Sequence, residues 1–195
     1  MNIARKSWTK LKNSRILTVP NQLTFLRLAF LPLFIIAIHY EQYGAALGVL
    51  VLAAVSDGLD GLLARGLNQR TPLGAYLDPI ADKILLSSSY IELAFHGKIA
   101  WWLTILVLGR DVLILVAAAS ILITVGYKPF PPSIWGKATT FFEILLVVLV
   151  LLTAIWGDSS LAIMREVCSY CVAAFVTISG LNYSVVVARR LHAGT

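Results

Sequence analysis

Six apolar stretches, each long enough to cross a bilayer, dominate this chain: Leu23–His39, Gly44–Ala64, Pro79–Phe95, Ala100–Val125, Thr139–Trp156 and Leu161–Ala188. A helix needs about 17–25 residues to span the hydrocarbon core, and only helices or closed barrels satisfy every backbone N–H and C=O there. The expectation is an all-α integral membrane protein with six transmembrane helices. Composition agrees: 58% of the 195 residues are hydrophobic and 13% are charged, more apolar surface than a soluble domain of this size can bury. The first stretch is not read as a signal peptide, because a long basic segment precedes it and no small-residue cleavage site follows. The chain divides into an N-terminal basic juxtamembrane segment, residues 1–20, and a six-helix domain, residues 21–190.

Basic residues orient the spans. With six crossings, one side receives Arg5, Lys6, Lys10, Lys12, Arg15, Arg65, Arg70, Lys83, Lys128, Lys137, Arg189 and Arg190, and the other only Lys98 and Arg165. This bias places both termini in the cytoplasm. In the first fifteen residues Ile3, Trp8 and Leu11 alternate with basic residues, a pattern that fits a helix in the headgroup plane as well as a disordered topogenic tail. The net charge of +6 is read as a response to anionic lipid. No basic groove interleaved with aromatics, such as nucleic acid needs, is present.

Against this background four aspartates stand out: Asp57, Asp60, Asp78 and Asp82. A charge at the bilayer centre costs about 2.5–3.5 kcal/mol even on the lenient insertion scale, so four carboxylates within 26 residues need a strong compensating partner. Asp57 and Asp60 are three apart and Asp78 and Asp82 four apart, so each pair shares a helix face. The short Arg65–Gly74 connection makes the two helices antiparallel neighbours. Asp57 lies seven residues before the end of its span, about 10 Å deep on the cytoplasmic side. The third helix starts either with Thr71 as cap and Pro72 in its first turn, or with Asp78 and Pro79 in those parts. On the first reading Gly74, Asp78 and Asp82 form one stripe.

Carboxylate oxygens are hard ligands suited to Mg²⁺ or Mn²⁺. Two such ions about 4 Å apart clamp a diphosphate and neutralise charge on attacking and leaving oxygens. Arg65 carries the donor fork that grips phosphate, and a carboxylate not consumed by metal can take the proton of an attacking hydroxyl. The competing reading is a non-enzymatic cation or proton carrier, or simple pairing of a carboxylate with Lys83. One lysine and one arginine do not neutralise four carboxylates, and a carrier usually shows two related halves. No second copy of the aspartate pattern appears after Lys98.

The run Asp57-Gly-Leu-Asp60-Gly61-Leu-Leu-Ala64-Arg65, eight residues, Gly74, three residues, Asp78, three residues, Asp82 matches every fixed position of D-x2-D-G-x2-A-R-x8-G-x3-D-x3-D. It resembles the signature of the CDP-alcohol phosphotransferase family. The resemblance implies a six-helix membrane enzyme, usually a homodimer, that moves a substituted phosphate from a CDP-alcohol to a hydroxyl acceptor and releases CMP. It further implies that Asp57, Asp60, Asp78 and Asp82 hold a metal pair and that Asp82 is the general base. Gly61, Ala64, Arg65 and Gly74 would meet the CDP moiety.

The stretches Pro20–Arg27, Asn68-Gln69, Leu77–Lys83 and Gly136–Thr140 resemble the members that use CDP-diacylglycerol, the phosphatidylglycerophosphate synthases and single-motif cardiolipin synthases. The acceptor is then glycerol 3-phosphate or phosphatidylglycerol. Arg27, Arg110 and Lys137 are candidates for its phosphate, with pairing to Asp111 or Glu143 as the other role for Arg110. Gly109-Arg110-Asp111-Val112 leans towards the lipid acceptor, but compactness and short loops favour glycerol 3-phosphate, which is the expected acceptor. Cys168 and Cys171 read as small buried hydrophobes; His39, His96 and His192 carry no assigned chemistry.

Overall fold

The computed structural model describes the backbone of residues 19–67, 72–125 and 134–193, and the side chains of residues 29–56, 83–116 and 134–184. The basic segment before residue 19 lies outside the described residues. Six helices make up the rest: α1 Val19–His39, α2 Tyr43–Leu67, α3 Pro72–Phe95, α4 Trp101–Val125, α5 Ile134–Trp156 and α6 Ser159–Ala193. The described residues contain no strand.

Three tight turns join the helices in pairs at one end. After α1, Gln42 N–H donates to the Ala37 carbonyl at 2.8 Å and Glu41 N–H to Ile38 at 2.8 Å. After α3, Lys98 N–H reaches Leu93 at 2.8 Å and Gly97 N–H reaches Ala94 at 3.0 Å. Both are Schellman caps, which need a left-handed residue beyond the helix end. Gly97 fills that place with φ 66°, and Glu41 does so with φ 56° despite its side chain. Gly157 (φ 64°) closes α5, and Asp158 Oδ1 accepts the Ser160 N–H at 2.6 Å, capping α6.

Among the described residues α1 and α5 each pack on both α2 and α3; α5 also packs on α6, and α4 touches α3 and α6. Phe34, Ile38, Tyr90, Leu93, Leu146 and Val172 are fully buried at the centre. Large apolar side chains such as Val51, Leu52, Ile105, Leu115, Phe141, Ile163 and Leu181 point outward. An apolar exterior this extensive suits lipid and would be an aggregation hazard in water. Two described helical segments, 134–156 and 159–184, meet the length and apolarity of a membrane span, and 29–39 and 43–56 are shorter apolar helices.

Helical hydroxyls satisfy themselves locally: Ser56, Ser89, Thr153, Ser169 and Thr177 each donate to the carbonyl four residues back. An apolar surrounding offers them no water to bond instead. At the turn end Tyr40, Trp101, Trp102 and Trp156 are exposed, the placement aromatic side chains take at a membrane–water interface. Both thiols are free, with Cys168 buried.

Candidate active site

α2 runs unbroken through Asp57, Asp60, Gly61, Ala64 and Arg65 to Leu67, and α3 begins at Pro72. The earlier of the two possible starts for α3 is therefore the observed one. Pro79 lies inside the helix, where it has no N–H for the Ala75 carbonyl. Gly74, Asp78 and Asp82 then recur every four residues along α3, one stripe on one face.

The helix ends also set depth. At 1.5 Å per residue, Asp60 is about 10 Å and Asp57 about 15 Å back from Leu67. Counted from Pro72 in the opposite direction, Asp78 is about 9 Å and Asp82 about 15 Å into α3. The two aspartate pairs thus lie at matching depths on the two helices flanking residues 68–71. Aspartate carboxylates are donors of the hard oxygen type that Mg²⁺ or Mn²⁺ takes. The side chains of these aspartates, and of Arg27, Gly61, Ala64, Arg65 and Gly74, lie outside the described residues.

One residue beyond Asp82, the described side chains begin with an ion group. Lys83 Nζ bonds Asp111 Oδ1 on α4. Arg110 Nη1 donates to the same oxygen at 2.8 Å, and Arg110 Nη2 donates to Ser179 Oγ on α6 at 3.0 Å. Arg110, Asp111 and Ser179 are buried. Glu143, 3% exposed on α5, lies within electrostatic reach of Lys83, Arg110 and Asp111. Its Oε1 and Arg110 Nε are buried without a hydrogen-bond partner. The ion group ties α3, α4 and α6 together, starting one residue beyond the last aspartate of the stripe.

Lys83 lies eleven residues inside α3, paired across to α4. Arg110 adopts the pairing role considered for it, through Asp111. Lys137 is exposed in the first turn of α5. Ser179 was not legible in the sequence, since nothing about a serine in an apolar helix marks it as an arginine partner. The Lys83–Asp111 bond had a weak signal, because intramembrane charges seldom persist unpaired.

The sequence model of the CDP-alcohol phosphatidyltransferase family matches residues 17–186. The chain is 36% identical over 195 residues to a cardiolipin synthase (CMP-forming) of Streptomyces coelicolor, covering 95% of this chain and 89% of that protein. A putative cardiolipin synthase of Mycobacterium bovis is 39% identical over 134 residues, 67% of this chain and 63% of its own length. A CDP-diacylglycerol–glycerol-3-phosphate 3-phosphatidyltransferase of Aquifex aeolicus is 32% identical over 171 residues, 87% of this chain and 95% of that protein.

Proposed function

The chain belongs to the CDP-alcohol phosphatidyltransferase family, and from that premise we propose that it transfers the phosphatidyl group of CDP-diacylglycerol to a hydroxyl of phosphatidylglycerol. The bond from phosphorus to the CMP oxygen breaks, a bond to the acceptor oxygen forms, CMP leaves, and the acceptor hydroxyl loses its proton. The family makes the chain a membrane-bound enzyme and disposes of the carrier reading.

The ion group carries the choice of acceptor. Lys83 and Arg110 share one carboxylate, Asp111, and Glu143 is buried alongside. Little positive charge is left over for an anion. A phosphodiester lipid brings a single negative charge, whereas a phosphate monoester brings nearly two and needs more cations. The glycerol 3-phosphate acceptor favoured by the short loops is the second reading. Its support is the Aquifex aeolicus relative, whose length this chain covers almost fully.

In this reading Asp57, Asp60, Asp78 and Asp82 hold a divalent pair, Mg²⁺ or Mn²⁺. Such a pair, when bound, neutralises the diphosphate and the oxygens of the displacement. Asp82 takes the proton of the acceptor hydroxyl. Arg65 grips the CDP phosphates through its fork of donors, and Gly61, Ala64 and Gly74 leave space beside the nucleotide. Arg27 and Lys137 meet the acceptor phosphate, and Arg110, held by Asp111 and Ser179, shapes the floor beneath it. All six helices cross the membrane, both termini and the aspartates face the cytoplasm, and the enzyme works as a homodimer.

The test is CMP release by purified protein with Mg²⁺ and CDP-diacylglycerol, supplied with phosphatidylglycerol or with glycerol 3-phosphate. Release with the lipid alone supports the proposal. Release with glycerol 3-phosphate alone replaces it by the second reading.

A further inference from the structure

At the turn end, on the opposite side of the bundle from the aspartates, three side chains without a part in the proposed reaction converge. His39 is the last residue of α1; Glu92 and His96 are four apart at the close of α3. His39 Nδ1 is 3.4 Å and His96 Nδ1 3.9 Å from the same Glu92 Oε1. One ligand-capable atom from each residue lies within 4.8 Å of the others. The two imidazoles meet edge to face, with centroids 6.0 Å apart, and His96 Nδ1 is anchored 3.0 Å from the Glu92 carbonyl oxygen.

The geometry points to a divalent-cation site of His39, Glu92 and His96 that takes a borderline ion such as Zn²⁺ and clasps α1 to α3. An ion pair alone explains the cluster poorly. One carboxylate faces two rings, and two imidazolium rings so close would repel. Two neutral nitrogens and a carboxylate are instead the donor set of a His₂Glu zinc centre. Tetrahedral zinc with bonds of about 2.0–2.2 Å sets its ligands about 3.4 Å apart. The His39–Glu92 pair is already at that spacing. The Glu92 carbonyl fixes His96 Nδ1 as an N–H donor, so His96 would offer Nε2, and its ring has to move to bring that atom in. His39 is exposed, and Glu92 and His96 are half-buried, so an ion enters from water and keeps positions open for it.

Nitrogen donors suit Zn²⁺ and discriminate against Mg²⁺, which prefers oxygen. Glu92 is ten residues from Asp82 along α3, about 15 Å, so the two metal sites are separate in place and in chemistry. Because α1 packs directly on α3, the ion would fasten that contact at its aqueous end.

The experiment titrates full-length protein in detergent with Zn²⁺ in the presence of millimolar-range Mg²⁺, and Co²⁺ serves as a spectroscopic stand-in. The expected result is one Zn²⁺ per chain, a rise in Tm on binding, and tetrahedral Co²⁺ absorption. His39→Ala, at an exposed position, should fold as wild type in the absence of Zn²⁺. It should weaken Zn²⁺ binding by more than about tenfold and abolish the Tm rise, as should His96→Ala. Asp57→Asn should leave the Zn²⁺ titration unchanged. Absence of Zn²⁺ binding in the wild type overturns the proposal, as does binding that survives His39→Ala or that is lost in Asp57→Asn.

Discussion

Lys83 of α3 and Asp111 of α4 are joined through the carboxylate oxygen, Oδ1, that also receives Arg110. Two cations on one acceptor make Asp111 the keystone of the ion group. Removing it leaves both Lys83 and Arg110 without their acid, in a region that is largely buried.

Asp111→Ala should therefore be among the most damaging single changes in the described residues. Breaking a buried pair by removing one partner costs about 3–5 kcal/mol. Ser179→Ala, which removes one charge-assisted hydrogen bond, should cost about 1.5–3 kcal/mol. Thermal unfolding in detergent should rank the two in that order, and a reversal would deny Asp111 its central place.

Asp82→Asn should keep the fold and much of the donor binding while losing about 10²–10⁴-fold in turnover, the usual contribution of a general base. CMP release under saturating substrates measures this directly. Wild-type turnover would remove Asp82 from the role proposed for it.

Asp57→Asn should act through the metal. It takes one hard ligand from the pair, so half-maximal activity should require more Mg²⁺, with thermal stability in Mg²⁺-free buffer little changed. An unaltered Mg²⁺ requirement would argue that Asp57 is not a ligand.

Glu41→Gly should stabilise the protein. A side chain in the left-handed region costs roughly 1–2 kcal/mol, and glycine adopts that conformation freely, as Gly97 does in the equivalent cap. The added freedom of the unfolded chain offsets part of this, leaving a gain of at most about 1 kcal/mol. A lower Tm would mean that the Glu41 side chain contributes something beyond the turn.

Hydropathy located all six helices, but it marked the two ends of the bundle unequally. At the turn end the expected limits His39, Phe95 and Trp156 coincide with helix termini, because apolar character and helical hydrogen bonding stop together at Glu41, Gly97 and Gly157. At the other end the helices outrun the apolar stretches: α2 continues from Ala64 to Leu67, α3 begins at Pro72 where apolar character pointed to Pro79, and α5 begins at Ile134 where it pointed to Thr139. Polar turns carrying Arg65 and Lys137 remain helical after the apolar stretches end.

The aspartate signature was legible because its chemistry is local, with spacing of three and four on single helices. The Lys83–Asp111 bond spans 28 residues and Arg110–Ser179 spans 69, and no pattern along the chain encodes such separations. His39 and His96 were passed over for the same reason: each is unremarkable until α1 and α3 are packed side by side.

The three tight turns make the chain a set of three helical hairpins, α1 with α2, α3 with α4 and α5 with α6. On the proposed topology each hairpin enters the membrane as a unit, and only its tip is translocated. Those tips carry little charge: Glu41 in the first, Lys98 in the second, Asp158 in the third with Arg165 and Glu166 two turns on. The basic ends never leave the cytoplasm. Biogenesis of this enzyme then reduces to three similar insertions, each dragging few formal charges through the bilayer.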